Sequence, residues 1–433
     1  MLYICTYELP ELKMKKRILS VAFALLSILT AWGQNVSALD QLKADPRRAY
    51  GTDYPYLLET PKLTKAPSGY KPFYISHYAR HGSRYYWSSA LYKELDTLLT
   101  VAHEKQLLTA AGENFRVKFM AAKQELQTGV SELTDLGWAQ HQGIARIMYN
   151  NFPEVFRKGG NVLAIASLSG RCVISMSAFC QELVQCNPKI EIREQSSRFT
   201  LDGVVPTDGQ NPVKHNYPRY VRPRFEKNRS QFKGVDVLRD KLAKRMFVST
   251  EGLPGRLHHI TSNLINLYTS LPSIGHEGMM EGLITDEEIA AEWEGNNLGS
   301  YAWVFGPQYQ TIPILQDILK KAAAAIDGSS DHIADLRFGH DTCLGPLTVL
   351  MGVNGADKDP EDPYEVKNVY QSWETCKASN IQLIFYRSSK KDADVLVKCL
   401  MNGQEATLPV PTATYPYYKW SDFQKFYTER CNK

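Results

Sequence analysis

The sequence is poor in the features that mark specialised protein classes. Its 433 residues hold only 8 Cys, too few for a disulfide scaffold. No Cys-x-x-Cys and no His-Glu-x-x-His occurs, which leaves a zinc site without support. Neither sign of charge dominates, since Lys plus Arg is 50 and Asp plus Glu is 46. No basic excess therefore points to nucleic acid. Internal repeats and low-complexity tracts are missing. Hydrophobic residues at 43% and charged residues at 22% are ordinary globular values and exclude disorder, collagen and coiled coil. One apolar run stands out, Ile18 to Leu29, shorter than the roughly 20 residues of a membrane-spanning helix.

That run is flanked as an export signal is. Lys13, Lys15, Lys16 and Arg17 precede it, and Ala31-Trp32-Gly33 follows with small residues where a signal peptidase reads. The pattern predicts a secretory signal peptide over residues 1–33, with cleavage after Gly33 and Met14 as an alternative start. The expected location is periplasmic or extracellular, with no stable membrane anchor after cleavage. Seven Cys remain beyond that point. An odd number leaves at least one thiol without an intramolecular partner, and the pairing stays open.

Three junctions carry the unusual residues. Phe73 to His77 reads as a strand, followed by Arg80-His81-Gly82-Ser83-Arg84 and a helical pattern from Ser88 to Leu108. Val162 to Ala166 reads as a strand, followed by Ser169-Gly170-Arg171 and a helix from about Val173 to Val184. Asp335 to Phe338 reads as a strand, followed by Gly339-His340-Asp341-Thr342 and a helix through Leu350. In a parallel sheet, all three loops leave at the carboxyl edge, where open α/β sheets bind ligands. Arg80, His81, Arg84, Arg171, His340 and Asp341 are thus predicted to meet in one pocket, with helix N-termini that favour an anion.

The remaining chain predicts an insertion. Residues 196–305 carry helical patterns at 236–247, 255–270 and 285–294 and read as a mostly helical cap. The domain reading is signal peptide 1–33, core 34–195, cap 196–305 and core 306–433. A helix at 310–326 belongs to the core. Strands at 380–387 and 394–401, joined by the polar turn Ser388 to Asp392, predict a hairpin on the edge of the sheet. The expected fold is a three-layer α/β/α core with a central, mainly parallel sheet.

The chemistry of the first junction points to phosphate. Arginine forks bind phosphate oxygens bidentately and keep their charge. Gly82 permits a tight backbone turn. A neutral imidazole among arginines is a candidate nucleophile toward phosphorus, because neighbouring cations depress its pKa. Asp341 is the right type of group to protonate a leaving alkoxide.

Arg80-His81-Gly82-Ser83-Arg84 together with His340-Asp341-Thr342 resembles the histidine acid phosphatase branch of the histidine phosphatase superfamily. That branch includes phytases, glucose-1-phosphatases and multiple inositol polyphosphate phosphatases. Leu133-Thr134-x-x-Gly137, His141-x-Gly143 and Arg171-Cys172 with Ser175 add to the likeness, which runs from about residue 72 to 350. The resemblance implies a phosphoglycerate mutase-like fold and hydrolysis of phosphomonoesters through phosphohistidine. It makes His81 the phosphate acceptor and Asp341 the proton donor. Arg80, Arg84, Arg171 and His340 clamp the phosphoryl group. No metal or cofactor is implied, since the arginines supply the positive charge. Two positions depart from the pattern. Tyr86 stands where many members have Pro, and His340-Asp341-Thr342 stands where inositol polyphosphate phosphatases usually have His-Ala-Glu.

The implied partner is a small phosphorylated substrate: inositol phosphates first, then sugar phosphates and bisphosphoglycerate. Lys214 to Lys233, with Arg219, Arg222, Arg224, Lys227 and Arg229, reads as a solvated basic face or as an attractor of a multiply phosphorylated substrate. His77 is expected to pack locally. His141, His258 and His259 read as core or surface residues, and Trp293, Trp303 and Phe305 as cap packing. The rival readings are a phosphotransferase or mutase on the same fold, and a non-catalytic periplasmic phosphoester-binding protein.

Overall fold

The computed structural model describes residues 36–205, 234–390 and 393–432. The signal-peptide reading and the basic stretch Lys214 to Lys233 lie outside them, as do two residues of the Ser388 to Asp392 turn. The chain divides into two compact units, Met1–Ala44 and Asp45–Lys433. The described part of the first is the helix Ala38–Ala44, begun by Ser37, whose hydroxyl accepts from the Asp40 amide at 3.1 Å.

The second unit is built on one sheet. Its strands are β1 (Tyr70–Arg80), β2 (Gly160–Ala166), β3 (Ile190–Gln195), β4 (His332–Gly339), β5 (Asn380–Ser388), β6 (Leu396–Met401), β7 (Gln404–Glu405) and β8 (Tyr417–Lys419). The order is β3-β2-β4-β1-β5-β6-β7, with β8 paired to β6. The half β3-β2-β4-β1 is parallel. Beyond β1 every pairing is antiparallel, so the sheet is mixed. The predicted hairpin β5–β6 forms, but β5 lies in mid-sheet against β1 rather than at the rim. Residues 381–386 are all buried, so both faces of β5 are covered.

Helices occupy both faces, in three layers as expected. In chain order they are α1 (Ser89–Glu104), α2 (Ala110–Thr128), α3 (Asp135–Asn151), α4 (Gly170–Cys186), α5 (Gly234–Met246), α6 (Leu257–Ser270), α7 (Trp293–Phe305), α8 (Ile312–Asp327), α9 (Asp341–Met351) and α10 (Trp420–Cys431). Side chains of a strand alternate between faces, and β1 serves both. Tyr74 and Tyr78 join a core with α8, α9 and α10, whereas Ile75 and Ala79 join one with α3 and α4. Helix ends follow local chemistry. Thr134 caps α3 by accepting from the Gly137 amide, and α8 and α9 stop at Gly328 and Gly352 in left-handed conformation.

The helical layer draws on two parts of the chain. The Thr109 amide donates to Met246 O at 3.0 Å and the Val248 amide to Leu107 O at 2.8 Å, so the link between α1 and α2 is tied to the end of α5, against which α2 packs. The pattern read as one helix at 285–294 is two, Asp286–Ala291 and α7. Trp293 is buried and stacks on Trp373 at 4.7 Å. Trp303 corrects the packing expectation, because it is 77% exposed. His258 and His259 lie on the surface. Among the described residues, no helix is long and apolar enough to cross a membrane. All seven described Cys are free thiols.

Candidate active site

The three junctions lie side by side because β2, β4 and β1 are adjacent and parallel. Backbone bonds tie their ends together: the Ser167 amide donates to Phe338 O, and the His81 amide to Gly339 O, both at 3.0 Å. All six predicted residues sit on these junctions. Arg80 closes β1, Arg171 lies in the first turn of α4, and His340 and Asp341 start α9.

Side-chain contacts join five of the six in two groups, Arg80 with Asp341 and His81 with His340 and Arg171. Arg80 Nη2 lies 3.0 Å from Asp341 Oδ2. The His81 and His340 rings meet edge to face, with centroids 5.7 Å apart. Arg171 Nη2 donates to His340 Nδ1 at 3.4 Å. Arg84 acts on the others through its charge, which bears on both His81 and Asp341. The Nε atoms of Arg80, Arg84 and Arg171 are buried with no hydrogen-bond partner among the described residues. Buried polar groups are normally paired, so three unpaired guanidinium donors mark a place suited to a polyoxygenated anion.

The two imidazoles are held in defined tautomers. His81 Nδ1 lies 2.9 Å from Gly82 O. A carbonyl only accepts, so Nδ1 carries the proton and Nε2 keeps its lone pair. His340 is arranged the other way. Its Nδ1 faces the Arg171 donor, so Nε2 is the protonated nitrogen and donates to Ser167 Oγ at 2.9 Å.

Burial is the first cause that pushes the His81 pKa well below 6.5; the charges of Arg80 and Arg84 come second. The sequence reading named the cations alone, because burial at 1% exposure comes from packing. His340 is lowered to about 4, by burial and then Arg171. For Asp341 burial works upward, but Arg80 and then Arg84 outweigh it and hold the carboxyl below 3.8.

The role of Gly82 differs from the expected turn. A Cβ there would stand 2.4 Å from Gly137 O, and one at Gly137 would stand 2.2 Å from Ser83 O. The pair is required by close approach of the loop to the first turn of α3. The loop is pinned further by the Gly82 amide donating to Ser175 Oγ at 3.0 Å and the Ser83 amide to Gln140 Oε1 at 2.9 Å. His77 packs as expected, between Phe179 and Phe338. His141 is buried against the same Phe338 ring.

Several site neighbours carry no sequence signal. Ser167 orients His340, the carbonyls of Thr52 and Thr375 hold Arg80, and Lys377 is buried beside the arginines, whose charges bear on it. Each is a single residue in an ordinary context, legible only once the chain is folded. Among the described residues, no group of three or more His, Cys, Asp or Glu is placed to hold a metal ion.

No family model matches the sequence, and no curated protein matches it. Solved structures do match. The multiple inositol polyphosphate phosphatase of Bifidobacterium longum, in complex with inositol hexasulfate, superposes with a TM-score of 0.69 at 19% identity, over 86% of this chain and 96% of that one. The phytase of D. castellii gives 0.65 at 15% identity, over 90% and 86%. The Hafnia alvei phytase in complex with tartrate gives 0.54 at 13% identity, over 84% and 98%. The chain therefore shares the three-layer fold of these solved structures.

Proposed function

We propose that the protein is an exported phosphomonoesterase that works through phosphohistidine, with inositol phosphates as its first substrate class. The observation that carries this reading is a buried imidazole whose free nitrogen is Nε2, beside three arginines whose charges bear on it and whose Nε atoms are buried without a partner among the described residues. His81 Nε2 attacks phosphorus, forming the N–P bond as the bond to the leaving oxygen breaks. Asp341 in its acid form gives that oxygen a proton. The resulting carboxylate then takes a proton from water, which attacks phosphorus, breaks the N–P bond and releases phosphate. Arg80, Arg84 and Arg171 hold the phosphoryl oxygens and offset the charge that develops on them, and His340 joins them by turning its Nε2 proton from Ser167 Oγ to a phosphoryl oxygen.

The fold supports this reading, since the matched structures include an inositol polyphosphate phosphatase and phytases. In that reading residues 196–305 form the cap over the site and residues 1–33 direct export to the periplasm or beyond. The substrate rests on the named ligand of one neighbour, inositol hexasulfate, a ring carrying tetrahedral anions. The test is release of phosphate from an aryl phosphate and from phytate by the wild type and by His81→Ala. Wild-type turnover with loss in the variant is expected; equal release by both would end the mechanism.

A further inference from the structure

Two more runs of chain reach the edge that carries the site. One is Gly51 to Asp53, ahead of β1. The other is Thr375 to Ser379, ahead of β5. The second run is bonded to the backbone of the arginine–histidine pair. The Arg80 amide donates to Ser379 O, and the Ala378 amide donates to His81 O, both at 2.9 Å. Ala378 is held at φ 65°, a left-handed conformation that a side chain disfavours.

Each run gives one carbonyl to the same nitrogen. Arg80 Nη1 donates to Thr52 O at 2.8 Å and to Thr375 O at 2.9 Å. Immediately beside those carbonyls the two runs are joined by an ion pair, Lys377 Nζ to Asp53 Oδ1 at 2.6 Å. Lys377 is 1% exposed. Its ammonium also donates to Ser273 Oγ at 2.8 Å, on the turn after α6. One lysine thus fastens three segments that are remote in sequence.

We propose that Asp53 and Lys377 are positioning residues of this site: their ion pair fixes the two carbonyls that aim Arg80, and through Arg80 the carboxylate of Asp341. The inference rests on the phosphatase reading above. Stability alone is a poor reason for such a pair, because desolvating the Lys377 ammonium costs about as much as its attraction to the half-buried Asp53 returns. The surroundings make it costlier still. Burial lowers the Lys377 pKa, and Arg84 and Arg80 add to that while Asp53 opposes it. What the pair supplies is geometry: two carbonyls fixed on one nitrogen, Nη1, of a guanidinium whose other nitrogen, Nη2, touches the proton donor. The charged groups around the pair and its target are Arg80, Arg84, Arg171 and Asp341, and the titratable neutral ones are His340, Tyr86 and Cys376.

The test uses the full chain with Asp53→Asn, Lys377→Met and the double variant, assayed on an aryl phosphate across pH beside wild type and His81→Ala. Each single variant is expected to lower kcat about tenfold to a hundredfold, with a smaller change in KM, as misplacement of a catalytic group does. Both are expected to move the alkaline limb of kcat upward, because a loosened Arg80 no longer holds the Asp341 pKa down. A pure charge effect predicts opposite movements, upward for Lys377→Met and downward for Asp53→Asn. The double variant removes the buried ammonium together with its half-buried partner and is expected to regain Tm while kcat stays low. Recovery of kcat together with Tm, opposite limb movements, or wild-type kcat in the single variants would each overturn the positioning role and leave the phosphatase reading standing. Equal activity of wild type and His81→Ala would instead end the phosphatase reading, and this inference with it.

Discussion

Arg80 and Asp341, one closing β1 and the other opening α9, form an ion pair at 3.0 Å. The same arginine that is proposed to hold phosphate therefore keeps the proposed proton donor ionised. A dianion against Arg80 and Arg84 would offset the charges that depress the Asp341 pKa, so its pKa rises on binding and it takes up a proton. Sulfate is a suitable probe, since it exchanges no proton of its own near about pH 5. Calorimetry in two buffers of different ionisation enthalpy is expected to show proton uptake by wild type. The same titration of Asp341→Asn is expected to show less. Equal uptake by both proteins would remove Asp341 from the donor role.

The demand for that proton depends on the leaving group. Asp341→Asn is expected to cut kcat on phytate by roughly 10²- to 10⁴-fold. On an aryl phosphate with a strongly acidic phenol, which departs without protonation, the loss is expected to be much smaller. Steady-state kinetics on the two substrates checks this, and equal losses would contradict it.

Gly82 and Gly137 meet backbone to backbone. Gly82→Ala and Gly137→Ala each drive a Cβ into a carbonyl oxygen that has no room to retreat. Each is expected to destabilise by about 1–3 kcal/mol, as overpacking does, and to displace the His81 loop. A loss of about a hundredfold in kcat/KM should accompany it. Thermal melts and initial rates are the measurements, and an active Gly82→Ala protein of unchanged Tm would refute the packing argument.

Four imidazoles at this edge are held neutral. Burial takes His141 to about 3 and, with Arg171, His340 to about 4; His77 and His81 lie well below 6.5. All four regain about 6.5 when the chain unfolds, so below that pH the unfolded chain binds more protons. The stability they contribute is fully present above about pH 6.5 and is lost as pH falls toward the folded values. His141→Phe, which keeps the ring against Phe338, is expected to remove on the order of 3 kcal/mol of the stability change between about pH 6.5 and 4. Urea unfolding across that range is the check, and parallel pH profiles for wild type and variant would exclude the buried His141 as a contributor.

Much of the site was legible before the fold. Arg80, His81 and Arg84 stand within five positions, and His340 and Asp341 are adjacent; strand-to-helix punctuation around them placed all on one sheet edge. The helix limits came out within a few residues, apart from the break between Ala291 and Trp293. The position of β5 did not, because a hairpin pattern states which strands are neighbours and says nothing of what the pair then docks against.

Local chemistry, carried by residues close together in the chain, set the strands, the helix caps and the residues offered for the candidate site, since propensity and short-range spacing act before any long-range contact forms. Long-range packing alone decided the rest. Asp53 and Lys377 are 2.6 Å apart across more than three hundred residues, and Gly82 is a glycine because Gly137 presses on it. Distances of that kind follow from how the layers close on the sheet, where the burial of apolar surface, and not the order of residues in any one segment, determines which side chains meet.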